Sequence, residues 1–204
     1  MERNHMNKST DQKKKVVKGS SQEIVKILAE KDKELMEPGA HNLLIYNDLK
    51  SFRDIYNHYS RALLPENEII VIATQYDPIN NVKNTLRLGG IDVEKYLNQG
   101  MLFIIDAQQG YQDADNSGIL KLSKSLISRA KKEDRRGITM IGDLDSFFSF
   151  EKIEELIRYE LSLPQKYEDT MKGFCCYHLK DFEKLTDTQQ QTLFDHHFKS
   201  ILIE

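Results

Sequence analysis

Ile69-Ile70-Val71-Ile72-Ala73 is an unbroken apolar run in which four of five residues are β-branched. A strand that alternates apolar with polar residues buries one face. A continuous run buries both, as the strands of a parallel sheet between two helical layers do. Upstream, Leu43-Leu44-Ile45-Tyr46 has the same character, and Asn47-Asp48 after it caps a helix with Leu49, Phe52, Tyr56, Tyr59 and Leu63 on its apolar face. Downstream, a helix over Asn80 to Leu88 closes on Gly89-Gly90, and a short helix over Val93 to Leu97 stops at Gly100. Met101-Leu102-Phe103-Ile104-Ile105 forms a third strand ending at Asp106, and a polar loop is predicted from Ala107 to Ser117. A helix with Ile119, Leu122, Leu126 and Ala130 inward leads to a fourth strand, Gly137 to Gly142. Ile153, Leu156 and Ile157 mark another helix, Phe174 to Tyr177 a fifth strand, Thr188 to His197 a last helix, and Ile201-Leu202-Ile203 a final strand.

Strands alternating with amphipathic helices require parallel pairing and right-handed crossovers. The predicted fold is therefore α/β: a three-layer α/β/α sandwich with a mainly parallel central sheet. In such sheets ligands bind beyond the carboxyl ends of the strands. Residues 39–204 make this domain. Ahead of it, residues 1–19 are polar and lysine-rich and read as a disordered basic tail. Residues 20–38 read as a helix opened by the capping-box pattern Ser20-Ser21-Gln22-Glu23, carrying Ile24, Ile27, Leu28 and Leu35, and ended by Pro38-Gly39.

The formal net charge of -3 provides no broad basic field, so direct nucleic-acid binding is not indicated. The only cysteines, Cys175 and Cys176, are adjacent and point to opposite faces of a strand, which excludes a disulfide between them and fits a reduced compartment. No apolar run is long enough for a membrane span and the N-terminus lacks an apolar signal core, so a cytoplasmic location is expected.

Several chemistries are tested by the motifs. A phosphate loop belongs at the first strand-helix junction, but Tyr46-Asn47-Asp48-Leu49-Lys50-Ser51 lacks its glycines, and Asp48 would repel phosphate. Asp143-Leu144-Asp145 after the fourth strand could hold Mg²⁺ in a phosphate-handling enzyme, yet Phe147 stands where that class needs Thr or Val; a helix cap plus a solvated acid is the plainer reading. Cys175, Cys176, His178, His196 and His197 match no standard zinc spacing, so Cys175 and Cys176 read as core and no metal or cofactor is expected. Glu160 shares a helical stripe with Ile153, Leu156 and Ile157 and must face inward, toward an internal Arg or Lys or a pocket. Tyr46, Tyr76, Tyr111 and Tyr177 gather at strand ends and offer apolar walls with hydrogen-bonding tips.

An ordered set of short motifs extends this reading. It comprises His41 with Tyr46, Gly90-Ile91-Asp92-Val93 with Tyr96-Leu97 and Gly100, Asp106-Ala107 with Tyr111, Gly142-Asp143, Tyr159-Glu160, and Cys176-Tyr177 with Phe182. From His41 to Leu202 the chain resembles the MEDS family, a sensory domain of methanogens and methylotrophs. The resemblance implies a fold related to RecA- and KaiC-like domains with a degenerate P-loop, and a role in sensing hydrocarbon derivatives. Family members are often joined to DNA-binding or histidine-kinase modules, and no such signature flanks the domain here. The aromatic that the family places after Gly-Asp, commonly Trp, is absent; Phe147 or Phe148 stands in its place.

Three functional readings remain open. The first is a non-catalytic sensory domain for a small organic molecule, with His41, Tyr46, Asp106, Tyr111, Asp143, Glu160 and Tyr177 lining one pocket and output through a protein partner or homo-oligomer. The second is a Mg-dependent phosphate- or nucleotide-handling enzyme using Asp143 and Asp145. The third is a pocketless adaptor.

Overall fold

The computed structural model of the protein describes residues 16–19, 23, 25–26, 37–167 and 170–203, and for 16–19 and 110–120 the backbone alone. Its strands are β1 (Val16–Gly19), β2 (His41–Tyr46), β3 (Glu68–Thr74), β4 (Leu102–Asp106), β5 (Gly137–Asp143), β6 (Met171–His178) and β7 (Lys199–Ile203). They form one sheet in the order β1-β7-β2-β6-β5-β3-β4, and every pairing is parallel. The helices are α1 (Leu49–Leu63), α2 (Ile79–Leu88), α3 (Val93–Asn98), α4 (Ala107–Lys132), α5 (Ser146–Ser149), α6 (Ile153–Ser162), α7 (Leu179–Phe182) and α8 (Asp187–His196).

Alternation along each strand sorts its side chains between two faces. On one face Leu44, Ile70, Ile72, Ile141, Phe174 and Ile201 pack under α1, α2 and α3 in a single large core. The other face carries two separate cores. Leu43, Ile45, Cys175 and Tyr177 pack with Leu156 of α6 and Leu193 of α8. Ile69, Val71 and Ile138 pack with Leu126 and Ala130 of α4. The three-layer sandwich expected from the strand-helix alternation is thus the fold observed.

Two local expectations are corrected. Val16–Gly19, placed by composition in the tail, pairs with β7 at the sheet edge. Backbone hydrogen bonds to an exposed edge ask little of side-chain pattern, so a four-residue strand leaves no periodicity to read. Ala107 to Ser117, expected as loop, continues as helix directly from β4, because the Asp106 side chain accepts from the Gln109 N–H at 2.9 Å and caps α4. The predicted cap at the first junction is present: Asp48 accepts from the Ser51 N–H at 2.8 Å. Glu23, Val25 and Lys26 are helical; of the helix predicted over 20–38, Glu37 and Pro38 are not helical and the remaining residues lie outside the described ones. Among the described residues no helix is long and apolar enough to cross a membrane.

The sheet also buries a charge pair. Glu68 is fully buried, Lys172 meets it at 2.6 Å, and Thr139 donates to the same carboxylate oxygen. Removing one member of a buried pair strands the other charge at a cost of about 3–5 kcal/mol. Lys172→Met should therefore lower unfolding free energy in urea by about 3 kcal/mol, and adding Glu68→Gln to it should recover much of that loss.

Candidate functional site

The carboxyl ends of β2, β5 and β6 meet over a pair of buried aspartates. Asp143 ends β5 and Asp145 follows two residues on; they are 2% and 0% exposed, so neither is the solvated acid the sequence suggested. Asp143 accepts from the Tyr46 hydroxyl at 2.9 Å, the Gln75 N–H at 3.2 Å and the Asp145 N–H at 3.0 Å. Asp145 accepts from the His178 N–H at 2.7 Å and lies 3.4 Å from the Tyr46 hydroxyl. Burial raises both carboxyls above the ordinary aspartate range, and the neighbouring Asp143 raises Asp145 further. Asp143 has the donors that favour its anion, so the proton resides on Asp145. The pair ties the loops after β3, β5 and β6 to Tyr46 of β2.

A second polar cluster lies on the sheet face covered by α6 and α8. Glu160 of α6 is fully buried and receives the Tyr177 hydroxyl on one oxygen. Its other oxygen is 3.5 Å from His197 Nε2 and 3.9 Å from His41 Nε2, and it has no hydrogen-bond partner; His197 Nε2 has none either. Cys175 Sγ lies 3.2 Å from His41 Nε2. One ligand atom from each of His41, Glu160, Cys175 and His197 falls within 4.8 Å of every other. Burial pushes the Glu160 carboxyl up, but His197, His41 and Tyr177 outweigh it and bring it down to about 2. Burial, reinforced by His197, lowers His41 to about 4, so its imidazole is neutral at physiological pH. The partners of Glu160 are therefore histidines and a tyrosine rather than the Arg or Lys that a stripe of helix positions suggests.

Between the two cores on this same face lies a cavity of about 380 Å³. Val71, Ile105, Leu122, Ile127 and Met140 wall it on the α4 side. Leu144, Phe147, Tyr159, Leu163 and Tyr167 wall it on the α6 side. Its floor is the sheet itself at Ala73 and Gly142, opposite each other in β3 and β5, and at Gly173 of β6, which lies opposite Met140. Ala73 and Gly142, side by side and without bulk, leave space between the two cores. At Gly142 a Cβ would have only the Phe174 carbonyl oxygen nearby, at 3.9 Å, so the glycine leaves open space rather than relieving a clash.

The seven residues expected to line one pocket are therefore divided. Tyr46 and Asp143 belong to the strand-end pair, and His41, Glu160 and Tyr177 to the second cluster. Asp106 is exposed and caps α4, and the side chain of Tyr111 lies outside the described ones. Of the six whose side chains are described only Asp143 borders the cavity, which lies over a sheet face. The physical reason is that strand ends crowd polar groups together, whereas space opens where small residues align. Gly142 and Tyr159 stood in the motif set, but the cavity's remaining walls left no signal short of strand register. The aspartate pair has a testable consequence. Asp145 favours the fold while both states hold its proton, below the ordinary value of 3.8, and that contribution declines as pH rises and is lost above its raised value. Asp145→Asn should flatten this slope and stabilise the protein at pH ~8 by about 1 kcal/mol or more, measured by chemical denaturation across pH.

Comparison with known proteins agrees with this geometry. An uncharacterised protein from Pyrococcus horikoshii, solved in complex with an unknown peptide, superposes with a TM-score of 0.62 at 13% identity, covering 89% of this chain and 82% of its own. A KaiC-like protein from the hyperthermophilic archaeon Pyrococcus horikoshii OT3 superposes with a TM-score of 0.52 at 14% identity, covering 81% and 71%. At such identities the likeness is one of fold. No curated protein matches the chain in sequence. The family model of the methanogen/methylotroph, DcmR sensory domain matches residues 40–197, and the chain belongs to that family, MEDS.

Proposed function

We propose that this domain is a non-catalytic sensor that takes a small, mainly apolar organic molecule into the cavity between α4, α6 and the sheet. The observation that carries the reading is the split core. A cavity of about 380 Å³ walled by aliphatic and aromatic side chains falls in the size range of small-molecule sites and is a costly feature for a purely structural domain to retain. Its polar margin, with Asp143, Ser146 and the exposed Lys124, would orient one polar substituent. Membership in a sensory family supports the same reading. The bound molecule would join the α4 and α6 halves of that face, and its signal would pass to a protein partner or a second copy.

The phosphate-enzyme reading has less support. Asp143 and Asp145 are engaged with Tyr46 and backbone N–H groups, and burial raises both carboxyls, which opposes the doubly ionised state that Mg²⁺ favours. The N-terminus of α1, where phosphate would sit, is already capped by the Asp48 carboxylate.

Thermal shift tests the proposal with a panel of one-carbon, halogenated and short-chain organics alongside ATP with Mg²⁺. At about 100 times its dissociation constant a true ligand adds roughly 2.7 kcal/mol, a rise of about 5–10 °C for a domain of this size. Gly142→Leu fills the cavity from its floor. It should keep or raise the unliganded melting temperature and abolish the organic-induced shift. Shifts with nucleotide alone, or an organic shift unaffected by Gly142→Leu, would count against the cavity as the sensing site.

A further inference from the structure

The cluster of His41, Glu160, Cys175 and His197 poses a problem that the sensory reading does not resolve. His41 Nδ1 lies 2.9 Å from the Pro164 carbonyl oxygen, and His197 Nδ1 lies 2.7 Å from the Leu193 carbonyl oxygen. A carbonyl only accepts, so each Nδ1 carries the hydrogen and donates it. In each ring Nε2 is then the atom left to face the cluster. The two Nε2 atoms converge on a carboxylate oxygen and a sulfur, and all four residues are buried. Two ring nitrogens, a carboxylate oxygen and a sulfur, all buried and aimed at one point, form a set of metal-ligand atoms.

We propose that His41, Glu160, Cys175 and His197 bind one transition-metal ion of the zinc class. Two imidazoles, a thiolate and a carboxylate are a donor set zinc accepts, and with four protein ligands the site is of the closed, structural type. Tetrahedral bonds of about 2.0–2.3 Å place ligand atoms about 3.3–3.8 Å apart. Three of the six separations, 3.2, 3.5 and 3.9 Å, are close to that span, and all six lie within 4.8 Å. The Nδ1–H bonds to Pro164 and Leu193 are the outer contacts that fix a metal-bound histidine's tautomer and ring plane, and the Tyr177 hydroxyl does the same for Glu160. On binding, the Cys175 thiol loses its proton to solvent, a metal-sulfur bond forms, and nothing is oxidised or reduced. The ion would join β2, α6, β6 and the residue that follows α8, and through Cys175 it would form part of the cavity wall.

The cysteine pair supplies an internal control, because Cys176 packs on the opposite face of the sheet. The full chain, purified without chelator or histidine tag, is expected to hold or take up about one zinc per molecule by elemental analysis. Its cobalt form should show a near-ultraviolet thiolate-to-metal charge-transfer band. Cys175→Ser should remove that band while Cys176→Ser keeps it, and His197→Gln should weaken zinc at least about tenfold. Far-UV circular dichroism identifies any variant that fails to fold. Wild-type chain that is folded yet takes up neither zinc nor cobalt would overturn the assignment and leave Glu160 paired with a protonated His197. A cobalt band that survives Cys175→Ser in folded protein would also overturn it.

Discussion

A sheet whose strands are all parallel cannot leave a face to water, and the rest of this structure follows from that requirement. Each crossover must return over the sheet, so the helices form two layers and the strands between them become apolar on both sides. On the face under α1, α2 and α3 the requirement is met by one continuous core. On the face under α4, α6 and α8 it is met in two pieces, and the gap between them is the cavity.

Burying both faces makes every inward carboxylate a problem, and the protein handles three of them in three ways. Glu68 keeps its charge and takes Lys172 as partner. Asp145 keeps its proton, because burial and then the charge of Asp143 beside it raise its carboxyl. Glu160 stays ionised, with the Tyr177 hydroxyl on one oxygen and two histidines facing the other. The first is an ordinary balance of charges and the second an ordinary balance of protonation. The third gathers a carboxylate, two imidazoles and a thiol at one buried point, which is why that cluster and not the acid pair is the place to look for a metal. The cavity and the cluster are neighbours: Pro164 and Tyr167 line the cavity and touch His41, through a hydrogen bond and a ring contact at 4.6 Å. A ligand in the one would therefore be felt at the other.

Much of this was legible in the linear chain. Val71 and its neighbours, apolar without alternation, identify a buried parallel strand by composition alone. Asp48 caps a helix because a short side-chain acceptor after a strand serves the free N–H groups of a helix start. Glu160 declares its burial through helical spacing. The motif set from His41 to Phe182 pointed to the family. All of these are local signals, carried by residues within a few positions of each other.

What only the tertiary structure decided is which distant residues share a location. His41 and Cys175 meet because β2 lies beside β6 with Leu43 opposite Cys175, a register that neither strand specifies by itself. Ala73, Gly142 and Gly173 form a floor only because β3, β5 and β6 are adjacent in an order that departs from sequence order. Spacing along the chain could not reveal a metal cluster whose members are set far apart, and it read the aspartate pair as solvated because burial is a property of neighbours. The sequence by itself determined the layers, the periodicities and the caps, since these follow from short-range sterics and hydrogen bonding. The cavity and the ligand cluster were settled by strand order and register, which depend on the packing of the whole sheet.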